Sequence, residues 1–126
     1  MHQENNIKLS IIIPVYNEDQ YILKLLDELK DLFNSDENEI IIVDDGSTDN
    51  SLTILNQYKD EKDYNFSLKV IKIENNLGKG NAIQEGLKKT VGEYILLMDA
   101  DLELYTKDSK EMSQMIKQNK EIKCIF

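Results

Sequence analysis

Histidine, cysteine and long apolar runs are almost or wholly missing from this chain of 126 residues. The one histidine, His2, sits in a polar amino-terminal stretch, which excludes a histidine-based catalytic triad and a histidine-rich metal site. The one cysteine, Cys124, excludes an internal disulfide and suits a reducing compartment. It falls in an apolar stretch and reads as a packed side chain, because reactive thiols need electropositive, accessible surroundings. No run approaches the ~20 apolar residues that cross a bilayer. Met1 to Asn6 also lacks the basic-then-apolar layout of a signal peptide. These absences predict a soluble, cytoplasmic chain, brought to the cytoplasmic face of a membrane only by something outside it. Basic charge is short too: 15 basic against 24 acidic residues give a net charge of -9. That balance argues against nucleic acid or an anionic membrane surface as the main partner. The length fits one domain over residues 1–126, built on one core.

What is present is an alternation of strand and helix patterns. Lys8 to Val15 is a β-branched run closing near Pro14, read as a central strand. Ile22, Leu25, Leu26, Leu29, Leu32 and Phe33 then fall on one face of a helix over Tyr21 to Phe33, with Asn17 as its cap. Glu39 to Val43 is a second strand, followed by a helix carrying Leu52, Ile54, Leu55 and Tyr58. Leu68 to Ile73 is a third strand, and a helix over Asn81 to Thr90 is ended by Gly92. Tyr94 to Met98 is a fourth strand. A helix over Lys107 to Gln118 and a short apolar run, Ile122 to Phe126, complete the chain. Strands apolar on both faces, alternating with helices, predict an α/β fold with a mainly parallel sheet and helices on both faces. In such sheets ligands bind beyond the carboxyl ends of the strands.

Three of those ends are polar: Pro14 to Glu18, Asp44 to Ser47 and Asp99 to Asp101. The fourth strand runs into Asp99 and Asp101, and residues two apart on an extended chain face one side, so both carboxylates can address one point. With no Lys or Arg nearby in sequence to neutralise them, a divalent cation is the expected partner, and hard oxygen ligands favour Mg or Mn. Glu103 is a candidate third ligand, with a solvated surface glutamate as the alternative. Asp44 and Asp45 end the second strand and can hydrogen-bond a base or a ribose, or merely cap the turn at Gly46. Asn76 to Asn81 follows a strand and opens a helix, so the glycines there let backbone N–H groups approach an anion, and Lys79 can pair with a phosphate. A flexible turn with an exposed lysine is the alternative.

Four ordered segments carry a family resemblance: Ser10 to Glu18, Ile41 to Asp49, Asn76 to Ala82 and Gly92 to Asp101. Together they resemble the inverting family 2 glycosyltransferases of GT-A fold, and within them the polyprenol-phosphate (dolichol-phosphate) mannosyl- and glucosyltransferases. The resemblance implies a Rossmann-like nucleotide-binding half that takes a UDP- or GDP-sugar. Pro14, Tyr16 and Glu18 would line the base and ribose pocket, with Asp44 reading the base. Gly78 and Lys79 would lie against the nucleotide, Asp99 against the ribose or metal-bound water, and Asp101 on a metal bridging the diphosphate. Glu103 stands where such relatives often carry a glutamine metal ligand, and Leu104-Tyr105 replaces their usual His-Pro pair.

Family members continue for roughly another hundred residues, the size of a further domain half. The acceptor site, for a lipid phosphate or a glycan, and the general base are expected there, so no catalytic residue is assigned within this chain. The apolar end at Ile122 to Phe126 predicts a chain truncated before the acceptor half. It also predicts self-association through an exposed sheet edge. Two other readings stand beside this one: a non-catalytic nucleotide- or partner-binding module derived from such an enzyme, and a receiver-type signalling domain. The second would place its acid pair after the first strand, not the second and fourth.

Overall fold

The computed structural model describes residues 6–100 and 123–125. Among them, five strands form one sheet: β1 (Leu9–Val15), β2 (Asn38–Asp45), β3 (Ser67–Ile73), β4 (Tyr94–Leu97) and β5 (Lys123–Ile125). Three helices, α1 (Ile22–Phe33), α2 (Ser51–Glu61) and α3 (Lys79–Leu87), connect the first four strands. Every pairing is parallel and the order is β3-β2-β1-β4-β5. Isoleucine runs in β1 and β2 explain the centre of the sheet, since β-branched side chains fit a pleated surface covered on both sides. The order differs from the 2-1-3-4-5 of receiver domains, which removes that reading. The expected helix over Lys107 to Gln118, with Asp101 and Glu103, lies outside the described residues.

The chain builds outward from β1 through β2 to β3, then returns to the other side of β1 to form β4. Right-handed crossovers must then place α1 and α2 on one face and α3 on the other. The two cores follow that division. Ile11, Ile13, Val15, Ile40, Ile42, Leu96 and Met98 pack with Ile22, Leu25, Leu26 and Leu29 of α1 and Leu55 of α2. The alternate positions Ile12, Ile41, Val43, Ile95 and Leu97 pack with Ala82, Ile83 and Leu87 of α3. Among the described residues no helix is long and apolar enough to cross a membrane.

At the amino-terminal rim of the strands a buried carboxylate ties three segments together. Glu39 accepts hydrogen bonds from the Ser10 hydroxyl and from the Val91 N–H (2.8 Å), and its other oxygen lies 2.7 Å from Lys69 Nζ. Gly92 N–H donates to Ser10 Oγ (2.8 Å), and a Cβ at Gly92 would lie 2.5 Å from that oxygen. Gly92 therefore does not end a helix, as its position suggested. Helix α3 ends at Leu87, and Gly92 lets the next loop lie against β1.

Two further expectations change. Leu32, expected on the buried face of α1, is 61% exposed, because its angular position falls at the edge of the stripe centred on Ile22, Leu26 and Leu29. Asn17 does not cap α1, which begins at Ile22 after a turn closed by Tyr21 N–H and Ile22 N–H on the Glu18 carbonyl. Strand β3 forms one edge of the sheet among the described residues, and it carries Lys69 and Lys72, a residue type that discourages edge-to-edge pairing.

Candidate functional site

The sheet changes direction between β1 and β4, and ligand crevices of such sheets open at that point, beyond the strand carboxyl ends. A cavity of about 330 Å³ lies there. Its wall comes from four successive strand ends: Pro14, Val15, Tyr16 and Glu18 after β1, and Asp45 at the end of β2. Asn76, Gly78 and Lys79 follow β3, and Asp99 and Ala100 follow β4. The volume falls at the lower end of the range for small-molecule sites.

Alternation along the strands decides which side chains reach the cavity. Pro14 and Tyr16 continue the phase of Ile12, Asp45 that of Ile41 and Val43, and Asp99 that of Leu97, all on the α3 face. Asp44 has the opposite phase, in step with Ile40 and Ile42. Its carboxylate is 1% exposed, accepts a hydrogen bond from Ser47 N–H (3.3 Å) and is not part of the cavity wall. The neighbouring Asp45 occupies the wall that the sequence reading gave to Asp44. A one-residue step on a strand exchanges the faces, and which face held the cavity was set by the crossover of α3.

Asp45 also shapes the turn beside it. Its carboxylate accepts hydrogen bonds from Asn76 Nδ2 (3.1 Å), Leu77 N–H (3.1 Å) and Gly78 N–H (3.0 Å), and its carbonyl accepts another from Asn76 Nδ2. The turn lies so close to β2 that a Cβ at Gly46 would stand 2.5 Å from Asn76 N, and Gly46 has φ of 73°. Gly78 has φ of 102° and lies in open space, so its glycine is required by conformation rather than by crowding. Lys79 then opens α3, two residues earlier than the sequence pattern placed the helix start.

Lys79 corrects a second expectation. Its Nζ lies 2.7 Å from Asp99 Oδ1, so the acid after β4 has a cationic neighbour brought from twenty residues away in sequence. The side chains are 49% and 29% exposed, which leaves the pair largely solvated. Among the described residues no group of three His, Cys, Asp or Glu side chains could hold a metal ion. Asp99 offers one hard oxygen donor at the rim, the donor type that Mg and Mn accept.

The loop carrying Tyr16 and Glu18 is stapled to the segment before α2. Asn17 adopts φ of 51°, and its Oδ1 accepts hydrogen bonds from Thr48 N–H (2.8 Å) and Asp49 N–H (3.3 Å). Asn17 N–H donates to Ser47 Oγ (2.8 Å), Glu18 N–H to Ser51 Oγ (2.9 Å) and Asp19 N–H to Asp49 Oδ2 (3.1 Å). Burial pulls the Asp49 carboxyl upward, but hydrogen bonds from Ser51 and Asp19 outweigh it and hold the group below the usual carboxylate range. The sequence signal for this contact was present in the polar run Ser47 to Ser51, but nothing in it named a partner.

A doubly covered parallel sheet, with a glycine turn and rim carboxylates at its switch point, defines a Rossmann-like α/β protein. Residues 10–125 match the family model for glycosyl transferase family 2, and the chain belongs to that family. It is 44% identical over 96 residues to a poly(ribitol-phosphate) beta-glucosyltransferase of Bacillus spizizenii, an alignment covering 75% of this chain and 15% of that protein. It is 36% identical over 104 residues to a dolichyl-phosphate beta-glucosyltransferase of Dictyostelium discoideum, covering 77% and 32%. The fold superposes on Staphylococcus aureus TarS 1–349 in complex with UDP-GlcNAc with a TM-score of 0.67 and 35% identity, covering 89% and 32%. The expected GT-A fold is thus borne out, and the chain spans between 15% and 32% of the length of these relatives.

Proposed function

We propose that this chain is the nucleotide-sugar-binding part of a family 2 glycosyltransferase and holds a nucleoside diphosphate sugar in the switch-point cavity. The carrying observation is that one cavity gathers Pro14, Tyr16, Glu18, Asp45, Gly78, Lys79 and Asp99 from four separate strand ends. A uridine diphosphate sugar is favoured over a guanosine one, because the 35% identical TarS structure is a complex with UDP-GlcNAc. The half-exposed ring of Tyr16 and the ring of Pro14 offer apolar surface to a base. Asp45, rather than Asp44, is the carboxylate suited to a base N–H or ribose hydroxyl. It already accepts three donors, and a carboxylate has about four lone-pair sites. The glycine turn and Lys79 suit the diphosphate.

Asp99 and Asp101, with Glu103 as third ligand, are the residues that would hold Mg or Mn. When bound, such a cation stabilises charge on the departing diphosphate as a Lewis acid. In the parent reaction an acceptor oxygen, from a lipid phosphate or a glycan hydroxyl, bonds to the anomeric carbon. The bond from that carbon to the diphosphate breaks, with inversion. Calorimetric titration with UDP, GDP and their sugars, with and without Mn, tests the reading. Metal-enhanced binding of at least one of them is expected, and folded protein that binds none would sink it. Asp101→Asn should weaken metal-dependent binding far more than Lys107→Gln.

A further inference from the structure

We infer that Asn17 is a positioning residue for nucleotide binding, acting through Tyr16 and Glu18 on either side of it. The inference rests on the nucleotide-sugar reading of the cavity. Asn17 does not itself line the cavity, whereas both neighbours do. The Tyr16 side chain is 45% exposed, so core packing does little to fix it, and its place depends on the backbone that carries it.

That backbone is held in an uncommon state. Asn17 has φ of 51°, where asparagine is among the few residues with a side chain that are tolerated. Turning the chain there lets the Asn17 amide meet the segment before α2 from both sides. Its Oδ1 takes the N–H groups of Thr48 and Asp49, and its Nδ2 reaches Thr48 Oγ1 at 3.4 Å. Its own N–H goes to Ser47 Oγ, and the next two N–H groups go to Ser51 Oγ and Asp49 Oδ2. Asn50 N–H returns a bond to Asp19 Oδ2 (3.3 Å). The two loops are therefore registered residue by residue, and only Asn17 contributes both the backbone turn and side-chain bonds to two successive N–H groups. A ligand resting on Tyr16 and Glu18 meets a wall already in place, and avoids the ordering cost of a loose loop.

Binding of UDP by calorimetry in wild type, Asn17→Ala, Asn17→Gly, Tyr16→Ala and the Asn17→Ala/Tyr16→Ala pair tests this. Loss of the Asn17 side-chain bonds should weaken UDP binding roughly tenfold to a hundredfold. Asn17→Gly keeps the left-handed turn but not the amide, and should be weakened as well. In the Tyr16→Ala background, Asn17→Ala should cost markedly less, because its route to the ligand is already cut. Glu39→Gln, at the opposite rim, serves as the stability control and should leave UDP affinity unchanged in folded protein. Wild-type affinity in both Asn17 variants would overturn the inference, as would full additivity with Tyr16→Ala. A wild-type protein that binds no UDP or GDP would instead overturn the reading of the cavity itself.

Discussion

Lys79 and Asp99 should respond in opposite directions when nucleotide binding is measured without metal. Their ion pair, at 2.7 Å with side chains 49% and 29% exposed, is solvated enough to be worth about 0.2–1 kcal/mol. A lysine hydrogen bond to a charged group is worth about 1.5–3 kcal/mol. Recruiting Lys79 to a diphosphate thus releases the smaller quantity and gains the larger, a net gain of about 0.5–2.8 kcal/mol. Lys79→Met, which keeps the unbranched stem and loses the ammonium, should weaken UDP binding roughly 2- to 100-fold in EDTA. Asp99→Asn removes only the competitor for Lys79, so in EDTA it should bind UDP as tightly as wild type or up to about fivefold tighter. With Mn present the sign for Asp99→Asn should reverse, because a hard oxygen ligand is lost. Calorimetry of both variants in EDTA and in Mn gives four numbers. If Lys79→Met leaves the metal-free affinity intact, or if both variants weaken it alike, the assignment of Lys79 to the phosphates is refuted.

Three further outcomes are expected. Glu39→Ala leaves the Ser10 hydroxyl and the Val91 N–H without their acceptor and should cost about 2–4 kcal/mol by urea unfolding; Glu39→Gln, which keeps an acceptor, should cost clearly less. Gly46→Ala places a Cβ 2.5 Å from Asn76 N at a φ of 73°; it should cost about 1–2 kcal/mol in conformation alone and weaken UDP binding at least about tenfold as the turn is displaced, so unchanged binding would refute the close approach. Asp49 is held below its unfolded pKa, so its contribution is fully present above the ordinary carboxylate range and is lost as pH falls through the folded value. The stability difference between wild type and Asp49→Asn should therefore be flat from about pH 8 to 5 and shrink in acid.

The linear pattern of this chain determined its elements and their order. Isoleucine runs at 11–13 and 40–42 can only be strands covered on both faces, and Ile22, Leu25, Leu26 and Leu29 recur at helical spacing; both signals are local, set by side-chain volume and backbone period. The polar strand ends were equally legible, because a buried apolar run that breaks into carboxylates reads directly from neighbouring residues. Tertiary structure decided which of those polar residues meet. Asp45 rather than Asp44 faces the cavity because the α3 crossover fixes which face holds the site, and strand phase does the rest. Lys79 reaches Asp99, and Asn17 reaches Thr48 and Asp49, across 20 to 32 residues of sequence. Contacts of that kind arise from sheet order and handed connections, which bring distant strand ends to one rim, and no short stretch of sequence carries that information.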